Sequence, residues 1–495
     1  MHAHTDALAS TVPGPGGNLM VTDHPKPIPE TVMPLRLRLS LLALCCLVAE
    51  TSANAQSDAL VARAHAIHDR VIKLDTHVDF NPSSMSDTPP NYVTGLRNQV
   101  DLPKMKAGYN GIFFSIYVGQ GELTDSAYQH AYEADVAKFD AVHKLAETMA
   151  PDQIEIARTA ADVRRIVKSG KLVALMGVEN GYGIGTDITR VKEFADRGAR
   201  YLSLSHNGHS QLSDSNTGEA DNVWMWHGVS PLGKQVVAEA NKWGIMLDIS
   251  HPSRESNMWV MANSKAPVIA SHSAVRALCP SASRDLDDEQ LLALKKNGGV
   301  MQTVAFSSYL VCTPAPSKER TAALEALARQ YNLPTAAVGF SAGSTGAGQA
   351  TVARSAACSI GDPPAEPQPV ARGQRANPLA SMDDATRARF QARIDTINAS
   401  YPAPVPARRA TVKDLVNHID YAVKLIGIDH VGISSDFDGG GGVDGYNCAA
   451  EAPNVTIELV RRGYTEKQIG QLWGGNLLRV MERAEAVAAQ LQRGS

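Results

Sequence analysis

Eight short apolar runs constrain the fold more than any other feature of this sequence. Each run is rich in Val, Ile and Leu, is too short for a helix and ends in polar residues. They span residues 71–75, 111–117, 172–178, 201–205, 244–249, 267–271, 299–304 and 429–434. Helical patterns lie between them, and this alternation of strand and helix is typical of a parallel sheet.

Eight strand and helix units predict an α/β fold of the (β/α)8 TIM-like barrel type. A doubly wound open sheet is the alternative, but it gives no reason for functional residues to follow nearly every strand. The spacing breaks once, at residues 313–410 between strands seven and eight, where Ala, Pro, Gly and Ser are frequent. We interpret this segment as an insertion that decorates one barrel domain.

The N-terminal region carries the pattern of a secretory signal peptide. Arg36 and Arg38 precede an apolar run at residues 39–49, and the A-x-A sequence at residues 53–55 follows it. We therefore predict a signal peptide at residues 33–55 and a periplasmic or secreted protein.

The composition of the chain bears on its domain bounds, on membrane anchoring and on nucleic-acid binding. Residues 1–32 are rich in Pro and Gly and lack apolar periodicity, so we expect a non-native N-terminal extension there and the functional barrel at residues 56–495. The longest apolar run, at residues 39–49, is shorter than a membrane span, so no transmembrane anchor is predicted. Lys plus Arg number 47 against 51 Asp plus Glu, and this near balance gives no reason to expect nucleic acid as a partner.

Four cysteines lie beyond the predicted signal peptide: Cys279, Cys312, Cys358 and Cys448. An even number in an exported chain favours disulfides, and four cysteines allow three pairings. Buried free thiols are the alternative.

Metal-ligand residue types follow several of the predicted strands. His77 and Asp79 come at the end of strand one, and residues two apart on an extended chain point to the same side. Glu179 ends strand three, His251 follows strand five and His272 follows strand six. The carboxyl ends of barrel strands form the active-site face, so these side chains are predicted to meet there.

This set exceeds what one catalytic zinc ion uses, which is three protein ligands and a water. Two ions fit better, with Glu179 bridging them through its two oxygens. His77 and Asp79 then belong to one ion, and His251 and His272 to the other. Two such ions would hold a hydroxide between them and polarise a carbonyl.

Three further polar residues are predicted on the same rim. His206, after strand four, can stabilise developing negative charge, and Asp436, after strand eight, can transfer protons. Arg284 offers a planar fork suited to a substrate carboxylate. Its alternative is a surface salt bridge with Asp285 or Asp288.

The chain resembles the membrane (renal) dipeptidase family, zinc peptidases with a binuclear site in a (β/α)8 barrel. The likeness extends from about residue 62 to 483, apart from the insertion. The motifs that carry it are Asp-Thr-His-Val-Asp at 75–79, Gly-Val-Glu at 177–179, Leu-Ser-His-Asn at 204–207, Asp-Ile-Ser-His at 248–251, Ser-His-Ser at 271–273, Arg-Asp-Leu-Asp-Asp at 284–288, the run 430–439 and Trp-Gly-Gly-Asn at 473–476.

The resemblance implies the same division of roles among these residues. By this resemblance, His77 and Asp79 would bind one zinc ion, His251 and His272 would bind the other, and Glu179 would bridge the two. His206 and Arg284 would contact the substrate, and Asp436 would assist proton transfer. The loop from His272 to Arg284 is one residue longer than in mammalian members, so Arg276 is the alternative carboxylate ligand. The resemblance also implies a disulfide between Cys279 and Cys312, and we expect Cys358 and Cys448 to form the other.

We therefore predict a metallo-dipeptidase with two Zn²⁺ per chain, in which a bridging hydroxide attacks the peptide carbonyl of a dipeptide. A homodimer is left open. One alternative is a metal-dependent amidohydrolase acting on cyclic amides or lactams, but many of those place a modified lysine where this chain has His206. The other is a non-catalytic binding barrel, which would not need all five ligand residues to be present.

Overall fold

The protein is described here from a computed structural model. The structure describes residues 57–314, 316–331, 333, 355–363, 383–405 and 407–494. The predicted extension and signal peptide lie outside the described residues. The described residues from Ala59 onward belong to one compact unit, which contains the sheet and the site. Among the described helices, none is both long and apolar enough to cross a membrane.

Nine strands within the described residues form one parallel sheet. In chain order they are β1 Leu74–Val78, β2 Gly111–Tyr117, β3 Ile154–Ile156, β4 Leu172–Glu179, β5 Ala199–Ser203, β6 Met246–Asp248, β7 Ile269–Ser273, β8 Val300–Val304 and β9 Val431–Ser434.

Eight of these strands follow one another around a barrel in the order β1, β2, β4, β5, β6, β7, β8, β9. β3 pairs only with the first half of β4. The ring closes where Val78 and Phe437 form a parallel bridge, with the Asp79 amide donating to the Phe437 carbonyl at 2.9 Å. The predicted (β/α)8 fold is therefore confirmed.

The helices of the described residues lie between and after these strands. Their bounds are 57–70, Leu102–Gly108, Asp125–Lys144, Ala160–Lys168, Thr189–Arg197, Pro231–Trp243, Arg254–Asn263, Asp288–Asn297, Ser307–Leu310, Lys318–Gln330, Asp384–Ser400, Val412–Ile426, Ala452–Arg461, Glu466–Gly470 and Asn476–Arg493.

Capping residues mark where these helices begin and end. Thr124 accepts a hydrogen bond from the Ala127 amide at the start of Asp125–Lys144. Ser230 caps Pro231–Trp243 in the same way, and proline suits the first helical position because its missing N–H would have no partner there. Gly244 ends that helix with a φ of 73°, a conformation that glycine adopts at little cost.

Most strands differ from the sequence prediction by one to three residues at their bounds. β7, predicted at 267–271, spans Ile269–Ser273 and therefore contains His272. β1 begins at Leu74 and not at Val71, and it extends to Val78, so His77 lies within the strand. β3 was not predicted, since three residues are too few to give a periodic signal.

The barrel interior is apolar beneath its polar end. Val173 and Leu175 lie on the same face of β4 as Glu179, because side chains alternate along a strand. They belong to a buried cluster with Phe113, Tyr201 and residues of the helix Asn476–Arg493. A close-packed layer therefore supports the site from below.

The insertion contributes two described helices with an apolar contact of their own. Leu324 and Leu327 pack against Phe390 and Ile394. Arg320 ties the two helices together, since its guanidinium donates to Asn398 at 2.9 Å. The stretch between them lies largely outside the described residues.

Both expected disulfides are confirmed. Cys279 pairs with Cys312, with Cα atoms 5.3 Å apart, and Cys358 pairs with Cys448 at 5.7 Å. The second pair attaches the insertion to the loop after β9. Lys104 reinforces this attachment, since its ammonium lies 3.2 Å from the carboxylate of Asp362.

Replacing Cys358 and Cys448 together by alanine should lower the free energy of unfolding by about 2–4 kcal/mol, because the crosslink no longer restrains the unfolded chain. Thermal and denaturant unfolding of the variant and wild type under oxidising conditions measure this loss. An unchanged melting temperature would contradict a stabilising role for this crosslink.

Candidate active site

A cavity of about 740 Å³ opens at the carboxyl ends of the barrel strands. Its lining includes most of the residues predicted from strand ends: Asp79, Glu179, His206, His251, His272 and Asp436. Parallel strands end at the same face of the barrel, which is why residues far apart in sequence meet here.

Glu179 is at the centre of this group, and its two carboxylate oxygens face different partners. Oε2 lies 3.3 Å from Nε2 of His77. Oε1 lies 2.9 Å from Nε2 of His251, 3.5 Å from Nε2 of His272 and 3.6 Å from Nε2 of His206. One carboxylate thus connects two sets of histidine nitrogens.

The His77 side of the cluster also contains two more carboxylates. Nε2 of His77 is 3.5 Å from Oδ2 of Asp79 and 4.0 Å from Oδ1 of Asp436. On the other side, the Nε2 atoms of His251 and His272 are 2.9 Å apart. Three sets of ligand atoms in this cluster are close enough to hold a metal ion: His77, Glu179 and His272; Glu179, His206 and His251; and His77, Asp79 and Asp436. Two of these sets share Glu179.

The orientation of His272 is fixed by a chain of hydrogen bonds. The Ser271 hydroxyl donates to Oδ2 of Asp248 at 2.6 Å, so its oxygen accepts from Nδ1–H of His272 at 2.8 Å. The unprotonated Nε2 therefore faces Glu179. Metal-binding histidines commonly donate their other ring nitrogen to such a partner.

His77 is held by Tyr201, whose hydroxyl lies 2.9 Å from Nδ1 of the imidazole. Burial raises the pKa of Tyr201, so the phenol stays neutral. Tyr201 has room to reach His77 because Gly177 on β4 has no side chain, and a Cβ there would come within 2.0 Å of the tyrosine ring. The glycine in the middle of a strand thus serves the site.

The protonation of the cluster suits cation binding. Burial lowers the pKa of His251 and of His272 well below the usual value, which keeps both imidazoles neutral. Burial disfavours charge on His77 and Glu179 as well, but their mutual attraction raises the pKa of His77 and lowers that of Glu179. Without a metal ion, the positive charge of a protonated His77 and the negative charge of Glu179 therefore stabilise each other.

The residues fit a pair of divalent cations. Nε2 of His77 is buried and has no hydrogen-bond partner among the described residues, although three carboxylates surround it. A cation would replace the proton and satisfy these oxygen and nitrogen donors together. Histidine nitrogens and carboxylate oxygens are ligands that zinc prefers.

Asp436 is presented by a strained turn after β9. Its φ of 56° is left-handed, which is uncommon for a residue with a side chain and is often found at functional sites. The Gly441 amide stabilises the turn by donating to the Asp436 carbonyl at 2.7 Å. A Cβ at Gly439 would lie 2.2 Å from Asp79 and 2.3 Å from Asp436, so glycine leaves space for both carboxylates.

Burial raises the pKa of Asp436 well above its usual range, and the nearby negative charges of Asp79 and Glu179 add to this effect.

Arg284 lies beside the His272 strand end, where Nη2 donates to the His272 carbonyl at 3.1 Å. Its side chain is buried, yet Nε and Nη1 have no hydrogen-bond partner among the described residues. The carboxylate oxygens of Asp285 are equally unpartnered, so the alternative of an ion pair between these neighbours is not observed. Arg276 instead pairs with Glu219, with a hydrogen bond of 3.1 Å.

Sequence reasoning missed several residues that complete the site. The ring of Tyr117 packs against the ring of His206 at a tilt, with centroids 4.7 Å apart. Tyr117 lines the cavity together with Lys138 and Tyr309. Gly177 could have been noticed in the sequence, because an isolated glycine in a strand often marks a place where another group approaches the backbone closely. No comparable signal marks Lys138, which lies in the middle of a helix.

Comparisons with known proteins identify the family of the chain. The sequence model of the membrane dipeptidase family (Peptidase family M19) matches residues 61–495. The chain is 27% identical over 405 residues to dipeptidase tcpJ of Claviceps purpurea (strain 20.1), a match that covers 81% of this chain and 72% of tcpJ.

Solved structures show the same fold. The crystal structure of the probable dipeptidase PvdM from Pseudomonas aeruginosa is similar with a TM-score of 0.63 at 29% identity, covering 87% of this chain and 100% of that chain. A metallo peptidase from Rhodobacter sphaeroides, liganded with a phosphinate mimic of the dipeptide L-Ala-D-Ala, has a TM-score of 0.56 at 20% identity, with coverage of 84% and 99%. With its match over residues 61–495, the chain belongs to the membrane dipeptidase family, peptidase family M19, and is a metallo-dipeptidase.

Proposed function

We propose that the protein hydrolyses dipeptides with two zinc ions bound by His77, Asp79, Glu179, His251 and His272. The observation that carries this proposal is the position of Glu179, whose two oxygens face separate groups of ligand atoms. Two zinc ions bound there would supply the nucleophilic hydroxide and polarise the peptide carbonyl, as pairs of divalent ions do in other hydrolases.

His206 would stabilise the carbonyl oxygen as it gains negative charge. Burial lowers the pKa of His206, which favours a neutral imidazole able to donate one N–H. Its ring lines the cavity and packs against Tyr117, and this packing limits its rotation. A donor positioned in advance costs little reorganisation when the charge develops.

Asp436 would move the proton from the attacking water to the leaving amine. Its carboxyl lies within the ligand group of His77 and Asp79, at the edge of the cavity. The raised pKa of this buried carboxyl favours its taking up a proton, as a general acid or base must.

Arg284 would bind the carboxylate at the C-terminus of the substrate. Its two unpartnered nitrogens provide the donors that a carboxylate needs. The fixed distance from this group to the cluster would restrict the enzyme to dipeptides, since one more residue displaces the carboxylate by about 3.3–3.6 Å.

We also propose export to the periplasm or the exterior. The support is the basic and apolar pattern before residue 55, together with two disulfides, which persist in oxidising compartments.

Glu179→Gln should abolish dipeptide hydrolysis and lower the metal content at both positions, because one carboxylate neutralises and spaces two cations. Metal analysis of the purified protein measures this directly. The exposed Glu255 provides the control, since Glu255→Gln should retain metal and activity. Two zinc ions retained per chain in Glu179→Gln would refute the bridging role.

Asp436→Asn should keep both metal ions and lower kcat by about two to four orders of magnitude, the usual contribution of a positioned acid or base. Steady-state kinetics with metal analysis of the same sample separate the two effects. Full activity with full metal content would remove Asp436 from proton transfer.

Arg284→Ala should weaken dipeptide hydrolysis and reduce the discrimination against dipeptide amides, which lack the carboxylate. Arg276→Ala is the matched control, because Arg276 already pairs with Glu219 and should not affect this discrimination. If wild-type enzyme cleaves dipeptide amides as well as free dipeptides, no arginine clamp exists. If only Arg276→Ala shows the loss, the role belongs to that residue.

A further inference from the structure

Lys138 is a basic residue of the cavity that the proposed mechanism does not use. It lies on the helix Asp125–Lys144, and its side chain lines the same cavity as Asp79, Glu179 and His206. A half-buried lysine at this position requires an explanation, because removing an ammonium from water is costly unless a partner compensates.

The contacts of the Lys138 ammonium leave it under-bonded. It donates to the carbonyls of Phe80 and Ser115 at 3.4 and 3.3 Å, both longer than a usual charged hydrogen bond. The rings of Phe80 and Tyr117 lie 5.0 and 5.6 Å from it, where they give only a weak cation–π attraction. Among the described residues no carboxylate forms an ion pair with it, although an ammonium can donate three hydrogen bonds.

The electrostatic surroundings also favour an added anion. Burial lowers the pKa of the Lys138 ammonium, and the more distant charges of Asp79, Glu179 and Asp135 oppose that shift. With divalent cations in the cluster, Asp79 and Glu179 would be engaged as ligands. Asp135 would remain as a more distant negative charge that forms no ion pair with Lys138, so a carboxylate on the substrate would supply a direct ion pair that none of the described carboxylates provides.

The barrel topology determines which end of the substrate meets Lys138. Arg284 follows β7, the sixth strand around the ring, and Lys138 lies on the helix after β2, the second strand. These positions are half a turn apart, so the two cations stand on opposite sides of the metal-ligand cluster. A dipeptide whose C-terminal carboxylate is on Arg284 and whose peptide bond is at the cluster directs its N-terminal residue toward Lys138.

We propose that Lys138 is a specificity residue that binds an acidic side chain on the N-terminal residue of the substrate, so that the enzyme prefers dipeptides beginning with glutamate or aspartate. This inference rests on the proposed dipeptidase function and adds a substrate class to it. No additional reactant is needed, since the lysine only binds.

The test compares Glu-Ala with Gln-Ala, which have nearly the same shape and differ in one charge. Wild-type enzyme should show a higher kcat/KM for Glu-Ala by about tenfold, the effect of one charged hydrogen bond. Lys138→Met should reduce this ratio to near one, mainly through KM, whereas Lys138→Arg should preserve it. Product inhibition gives a readout without turnover, because free glutamate should inhibit wild-type enzyme more strongly than glutamine, and Lys138→Met should lose the difference.

Lys144→Met is the matched control on the same helix, since Lys144 is partly exposed and its ammonium lies 3.0 Å from the carboxylate of Asp87. This variant should keep the wild-type ratio. Ala-Glu and Ala-Gln test the orientation, because an acid on the C-terminal residue should gain nothing from Lys138.

Several outcomes would overturn the inference. A Glu-Ala to Gln-Ala ratio near one in wild-type enzyme that hydrolyses Ala-Ala contradicts it while leaving the dipeptidase function intact. A ratio unchanged in Lys138→Met, or a Lys138-dependent preference for Ala-Glu only, contradicts it as well. Failure to hydrolyse any of these dipeptides would overturn the proposed function itself, and this inference with it.

Discussion

The buried carboxylate of Glu179 is the group on which the arrangement of the site at the open end of this barrel depends. Its two oxygens contact histidine nitrogens from different strands, at 3.3 Å for His77 and 2.9 Å for His251. Burying a carboxylate is costly unless cations or hydrogen bonds compensate. The imidazoles supply only part of that compensation, and divalent cations between these atoms would supply the rest.

The surrounding structure holds these ligands at fixed positions. Tyr201 orients His77, and the Ser271 hydroxyl, itself bonded to Asp248, orients His272. Glycine makes this possible at Gly177, where any side chain would displace the Tyr201 ring. Below this layer the strands are apolar and closely packed, which limits movement of the whole group. The site is therefore built into the barrel, with Asp436 alone of the predicted residues on a strained turn.

Strand ends were the most predictable part of the protein. Parallel barrel strands bring their carboxyl ends together, so His77, Glu179 and His251 could be grouped from their sequence positions alone. Features that depend on tertiary packing could not be predicted from sequence positions. Lys138 interrupts no pattern, and a lysine in a helix usually faces solvent. The three residues of β3 become a strand only because the edge of β4 is available.

The central claim is that five side chains from four strands form one binuclear metal centre. Titration of zinc into chelator-treated protein, followed by calorimetry and by hydrolysis of Ala-Ala in parallel, tests it most directly. The account predicts saturation at two ions per chain, proton release on binding as His77 loses its proton, and full hydrolysis only when both positions are filled. Saturation at one ion with full activity, or no zinc binding at all, would contradict it.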